Sequence, residues 1–204
     1  MAVAAIILAA GESTRMGRPK ALLDWGGRTL LQHQIDTLGE AGCDPVVVVL
    51  GARAHQIRAR TQCEAPCRLI ENAAYRSGRA SSLRIGGLAL DDDVKAVLIA
   101  SVDSPSTLAT TRAVIEAWRE STNSIIVPRF EGQNGHPALF DGTLLGELRE
   151  LQESTLGLKA VRSAHADATQ FIDCDDPWLV LNLNTPEQYA AARASHGGAS
   201  PRGS

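Results

Sequence analysis

The chain has 204 residues, 44% of them apolar, with a net charge of −3 and a sequence pI of about 5.9. Such a length can bury one sizeable core, and the weak acidic balance supplies no basic field of the kind that binds a nucleic-acid backbone. Nothing in it approaches the roughly 18 consecutive apolar residues of a membrane span. The expectation is a single soluble, cytoplasmic domain over residues 1–194, with neither nucleic acid nor membrane as a partner.

In chain order, the opening stretch Met1 to Ala10 lacks a leading positive segment and predicts a first strand, Val3–Ala9, rather than a signal peptide. Leu31, Ile35 and Leu38 recur at i, i+4 and i+7, which predicts a helix ending near Gly42. Pro45–Leu50, Arg68–Glu71, Lys95–Ala100 and Ser124–Pro128 read as strands, with weaker signals at Ala138–Phe140 and Thr169–Asp173. A helix opening near Pro105 carries its apolar stripe on Val114, Ile115 and Trp118. Pro186 suits the first turn of a last helix through Ala194, with Thr185 as N-cap. Ser195–Ser204, rich in Gly, Ser and Ala, reads as a disordered tail or an added remnant. Cys43, Cys63, Cys67 and Cys174 lack C-x-x-C spacing and read as ordinary packing or surface thiols.

Strands alternating with amphipathic stretches imply βαβ units and a mainly parallel sheet between two helical layers, a three-layer α/β/α arrangement. In such folds ligands bind beyond the carboxyl ends of the strands. The loop after the first strand, Gly11 to Lys20, is punctuated by Gly11 and Gly17 and carries Arg15, Arg18 and Lys20. Glycines let backbone N–H groups approach an anion, and the cations suit a triphosphate. The loop is neither a P-loop nor G-x-G-x-x-G, since Lys20 follows Pro19 and precedes Ala21. Asp103, in Ser101-Val-Asp-Ser-Pro105, stands at the tip of an apolar strand, where a carboxylate can hold Mg²⁺ or cap the next helix.

The pattern Gly11-x-Ser13-x-Arg15-Met16-Gly17-x-x-Lys20 after Leu8-Ala9-Ala10 resembles the MobA-like nucleotidyltransferases, including the molybdenum cofactor cytidylyltransferases. The resemblance implies a Rossmann-like fold of the nucleotide-diphospho-sugar transferase type. It also implies that Arg15 and Lys20 grip a triphosphate while the backbone of Leu8 to Gly11, with Ser13 and Gly17, lies against the nucleotide. Asp103 matches the family's principal metal ligand. The segment Asn182-Leu-Asn184-Thr185-Pro186 resembles D-x-D-T-P, with amides where acids are frequent, so Asn184 or Asn182 would complete the metal site or cap the helix. Asn72 to Leu83 resembles N-P-x-x-x-x-G-M-x-x-S-L, with Ala73 for Pro and Arg79 for Met, and implies base or ribose contacts from Asn72, Gly78 and Ser82. Gly135-His136-Pro137 resembles the family's G-H-P near the acceptor-facing part of the site, and a lone His is more often structural, so no proton-transfer role is assigned to it.

Together these imply a Mg²⁺-dependent transfer of a nucleoside monophosphate from an NTP to a phosphate-bearing acceptor. CTP is favoured over GTP because Leu8-Ala9-Ala10-Gly11 looks like the cytidylyltransferase branch. The acceptor implied is molybdopterin, followed by transient contact with a molybdoenzyme or chaperone. A sugar-phosphate nucleotidyltransferase shares this donor machinery. A nucleotide-sensing module without turnover would fit the two asparagines, and a dinucleotide oxidoreductase lacks its glycine fingerprint here.

Overall fold

The computed structural model describes residues 2–155 and 157–198. Strand β1 (Val3–Ala9) is buried throughout because it lies inside the sheet, parallel to β4 (Cys43–Leu50) on one side and β6 (Ala96–Ser101) on the other. β5 (Cys67–Glu71) extends this parallel set beyond β4. Across β6, β9 (Ala138–Asp141) runs antiparallel and is followed by β7 (Ile125–Phe130) and β10 (Thr169–Asp173), which are parallel to each other. The order is β10-β7-β9-β6-β1-β4-β5, and β8 (Gln133–Asn134) folds back on β7. A separate hairpin pairs β2 (Asp24–Trp25) with β3 (Arg28–Thr29) through Gly26 and Gly27, both at positive φ, the backbone a two-residue hairpin turn requires.

Alternate residues of the strands feed two cores. On one face Val3, Ile7, Val48 and Leu98 meet Leu31, Ile35 and Leu38 of α1 (Leu30–Glu40) and Val114, Ile115 and Trp118 of α4 (Leu108–Glu120). Tyr189 and Ala192 of α7 (Pro186–Gly198) and Ile57 of the short α2 (Ala54–Arg58) join that core. On the other face Ala4, Ile6, Val49 and Val97 meet Leu83 of α3 (Arg79–Leu88), Leu145 and Leu148 of α5 (Leu145–Arg149) and Val161 of α6 (Leu158–Ala164). This is the three-layer α/β/α arrangement with a mainly parallel sheet.

Helix α4 starts at Leu108, later than the expected opening near Pro105, because Thr107 accepts the Thr110 N–H and caps it. Before α7, Thr185 Oγ1 accepts from Gln188 N while Gln188 Oε1 accepts from Thr185 N and Asn184 N, a reciprocal cap. That helix continues to Gly198, so the expected disordered tail is corrected over residues 195–198; residues 199–204 lie outside the described residues. The cysteine expectation is also corrected in part. The coil after α2 turns back through Pro66, bringing the Cα atoms of Cys63 and Cys67 to 5.3 Å, and the two form a disulfide. Cys43 and Cys174 are free, and burial pushes the Cys43 thiol up to about 12, as befits a packing residue.

Candidate active site

A cavity of about 330 Å³ opens beyond the carboxyl ends of β1 and β6, within the size range of small-molecule sites. The end of β1 lines it with Leu8 and Ala9, the first loop with Ala10, Gly11, Ser13, Arg15 and Lys20, the start of α3 with Gly78, Arg79 and Ser82, and the stretch after β6 with Asp103. Asn184 reaches it from the turn before α7.

The first loop is folded by its own residues. Ser13 takes a left-handed conformation, Gly17 closes a short turn at φ 71°, and Met16 is buried as an anchor. Ser13 Oγ accepts the Lys20 N–H at 3.1 Å, which draws the two ends of the motif together. Gly17 serves this turn and is not among the residues lining the cavity.

Lys20 is the hub. Its Nζ donates to Asp103 Oδ2 at 2.8 Å and to Asn184 Oδ1 at 2.8 Å, and Arg15 Nη2 donates to the same Asn184 oxygen at 3.2 Å. Ser101 Oγ donates to the other carboxylate oxygen of Asp103. Burial pushes the Asp103 carboxyl up, but hydrogen bonds from Lys20 and Ser101, with the charges of Lys20 and Arg79, outweigh it and leave it below the usual carboxylate range. Leu183 N donates to Asp103 O at 2.8 Å, so the strand tip and the Asn184 turn are fixed to one another. The described residues contain no group of three acidic, His or Cys ligands. One carboxylate and one amide oxygen converge here on an ammonium, a hard oxygen pair that fits a cation.

The β5–α3 loop brings Gly78 and Ser82 to the cavity but turns Asn72 inward. Asn72 is fully buried; its Nδ2 donates to Ser81 and Ser82 and its Oδ1 accepts from Ala74 N. It therefore shapes the loop from within and is not among the lining residues. Gly78, at φ 114°, packs directly on Glu153, whose carboxylate a Cβ at that position would overlap. The Asn182 side chain donates to the Val180 carbonyl and, among the described residues, takes no part in the Lys20 hub.

Two supporting residues escaped sequence reasoning. Gln34 of α1 is fully buried: its Nε2 donates to the carbonyls of Ser101 and Ser104, and its Oε1 accepts from Ser106 N. That one side chain clamps the loop that carries Asp103, and its signal was a glutamine on the same apolar stripe as Leu31 and Leu38. Asp176, also buried, accepts from the hydroxyls of Thr107 and Thr110 and from Trp178 N, tying the start of α4 to the turn that leads to Asn184.

The fold, a mostly parallel sheet between helices, is of the nucleotide-diphospho-sugar transferase type. The chain belongs to the MobA-like NTP transferase domain family, whose model matches residues 5–169. It is 32% identical to nicotine blue oxidoreductase of Paenarthrobacter nicotinovorans, over 91% of this chain and 94% of that protein. It is 24% identical to the molybdenum cofactor cytidylyltransferase of Escherichia coli K12, over 94% and 96% respectively. The solved structure of Rv0371C from Mycobacterium tuberculosis in complex with manganese superimposes with a TM-score of 0.74 at 26% identity, covering 96% of this chain and all of that one (100%). Among the described residues, no helix is long and apolar enough to cross a membrane.

Proposed function

We propose that this chain transfers a nucleoside monophosphate, with CTP as the preferred donor, to a phosphate-bearing acceptor of the molybdopterin kind and releases pyrophosphate. The carrying observation is the hub in which Lys20 bridges Asp103 and Asn184 on the wall of a cavity lined by the first loop. Asp103 and Asn184 would hold Mg²⁺, which supplies charge neutralisation for the phosphates when bound. Lys20 and Arg15 would then serve the triphosphate, stabilising the charge that builds on the departing pyrophosphate. The acceptor's own phosphate is largely dianionic at neutral pH, its second pKa being about 6, so attack needs no general base. This fits a cavity with no histidine in its lining. Ala9 and Ala10, the latter at the cavity wall where the guanylyltransferase branch more often carries glycine, support the preference for CTP. Pyrophosphate release from a panel of nucleoside triphosphates and acceptors, with and without Mg²⁺, tests the proposal. No release from any pair overturns it.

A second reading draws on the 32% identity to an oxidoreductase and on the amide at Asn184, which leaves the hub with a single carboxylate. In that reading the chain carries out an oxidation–reduction in place of nucleotidyl transfer. Oxidation of a supplied reductant such as NADH or NADPH, without pyrophosphate release, would decide for it.

A further inference from the structure

The mouth of the cavity holds positive charge that the hub does not use. Arg79 lines the cavity with an exposed side chain and, among the described residues, its guanidinium makes no hydrogen bond or ion pair. The two carboxylates within its electrostatic reach are Asp103 and Glu153. Both are committed elsewhere: Asp103 to Lys20 and Ser101, and Glu153 to Ala80 N at 2.8 Å. Within the electrostatic reach of Arg79 is His136, whose Nδ1 is buried without a partner, and within that of His136 is Arg162 of α6, whose Nε is likewise buried without one. Asp103 is also in reach of His136, whose ring bonds the Ile99 backbone. Burial, then the charges of the two guanidiniums, depress the imidazole to about 4, so it is neutral at neutral pH and Arg79 and Arg162 are left as the cations.

Buried nitrogens without a partner, such as His136 Nδ1 and Arg162 Nε, are costly in a folded protein and are tolerated where a ligand or water completes them. A guanidinium fork matches the oxygens of a phosphate, and two guanidiniums match its double negative charge. Arg79 is also the point at which this loop departs from the pattern it resembles, where Met is usual. We propose that Arg79, backed by Arg162 and His136, forms a second anion subsite that holds the phosphate of the acceptor, distinct from the first loop that holds the triphosphate. The word acceptor rests on the transfer reading above. In that reading a phosphate oxygen held at Arg79 attacks the α-phosphorus, a new P–O bond forms, and the bond to the β-phosphate breaks with its electron pair leaving on pyrophosphate. No proton moves. Arg79 would offset the repulsion between two polyanions, and Asp103 is both bonded to Lys20 and in electrostatic reach of Arg79.

The experiment is calorimetric titration of inorganic phosphate into protein saturated with Mg²⁺ and a non-hydrolysable CTP analogue, comparing the natural chain with Arg79→Met and Arg162→Met. The analogue itself is titrated into each. Loss of a charge-assisted contact should weaken phosphate binding by about tenfold or more in Arg79→Met while nucleotide affinity stays within about twofold. Arg162→Met should weaken phosphate too, and Arg162→Lys should restore part of the loss. Unchanged phosphate affinity in Arg79→Met overturns the subsite, as does absence of phosphate binding in the natural chain. A parallel fall in nucleotide affinity assigns Arg79 to the donor and overturns it as well. If the protein binds no nucleoside triphosphate, the transfer reading falls, and the same Arg79→Met comparison in nucleotide-free protein still decides the subsite.

Discussion

Lys20 donates to Asp103 and Asn184 at once, so its removal leaves Asp103 Oδ2 without its ammonium and Asn184 Oδ1 with Arg15 alone. Lys20→Ala and Arg15→Ala should each lower turnover by at least about tenfold, the usual scale for a lost charged contact in a transition state, with circular dichroism unchanged. Pyrophosphate release measures the first and far-ultraviolet spectra the second. Asp103→Asn should abolish turnover, because it removes the only carboxylate of the hub. Asn184→Asp should stay active and lower the Mg²⁺ concentration for half-maximal rate, since a second negative ligand strengthens cation binding; a magnesium titration of initial rate checks both. His136 sets a pH dependence of stability. Its folded pKa, about 4, lies below the ordinary 6.5, so the unfolded chain takes up a proton first as pH falls. Stability should therefore be full above pH 6.5 and decline as pH drops toward 4, with Arg79, Arg162 and Asp103 as the charged groups in reach. Asp103, lowered from its ordinary value, adds its own loss only below that window. Urea unfolding across this range should show the slope in the natural chain and a reduced slope in His136→Gln.

At the scale of elements, α1 reaches the chemistry through one side chain. Gln34→Leu keeps the apolar stripe but strands the Ser104 carbonyl and the Ser106 N–H in a buried place, while the Ser101 carbonyl keeps only the Ser104 N–H. At about 1–3 kcal/mol for each unsatisfied buried group, the variant should lose several kcal/mol by urea unfolding, and turnover should fall with the displaced Asp103 loop. The strands were legible in the sequence for a physical reason: β1, β4 and β6 are covered on both faces and so appear as unbroken apolar runs. The antiparallel sense of β9 was not, because an apolar triplet carries no direction. The hairpin Asp24–Thr29 was missed because its strands are two residues each and register no period. The first loop, Asp103 and Asn184 were placed by motif, and the structure brings Arg15, Lys20, Asp103 and Asn184 together. Asn72 was expected at the nucleotide and lies inside its loop, since spacing cannot tell which way an amide points. The Cys63–Cys67 bond depends on how a coil returns through Pro66, and no spacing rule announced it.

For the whole molecule, ligand binding to the native state alone raises the melting temperature, by mass action. In the presence of Mg²⁺, CTP should stabilise the chain more than GTP in a thermal-shift series; a larger shift with GTP would move the donor preference to the other branch. The sheet order carries one more consequence. Every residue that lines the cavity except Asn184 precedes α4 in the chain, and β1, β4, β5 and β6 form a parallel set of their own. It would be natural to express that half by itself. Yet β6 is buried at all six of its positions and borders the set on the side that β9 covers, so a chain stopped after α4 would present an uncapped apolar edge with free N–H and C=O groups. Such edges pair with whatever strand arrives, including the same edge of another molecule. Residues 138–141 thus act as a chaperone carried in cis: the shorter chain should aggregate, and supplying β9 again, even from a second polypeptide, should be what keeps it in solution.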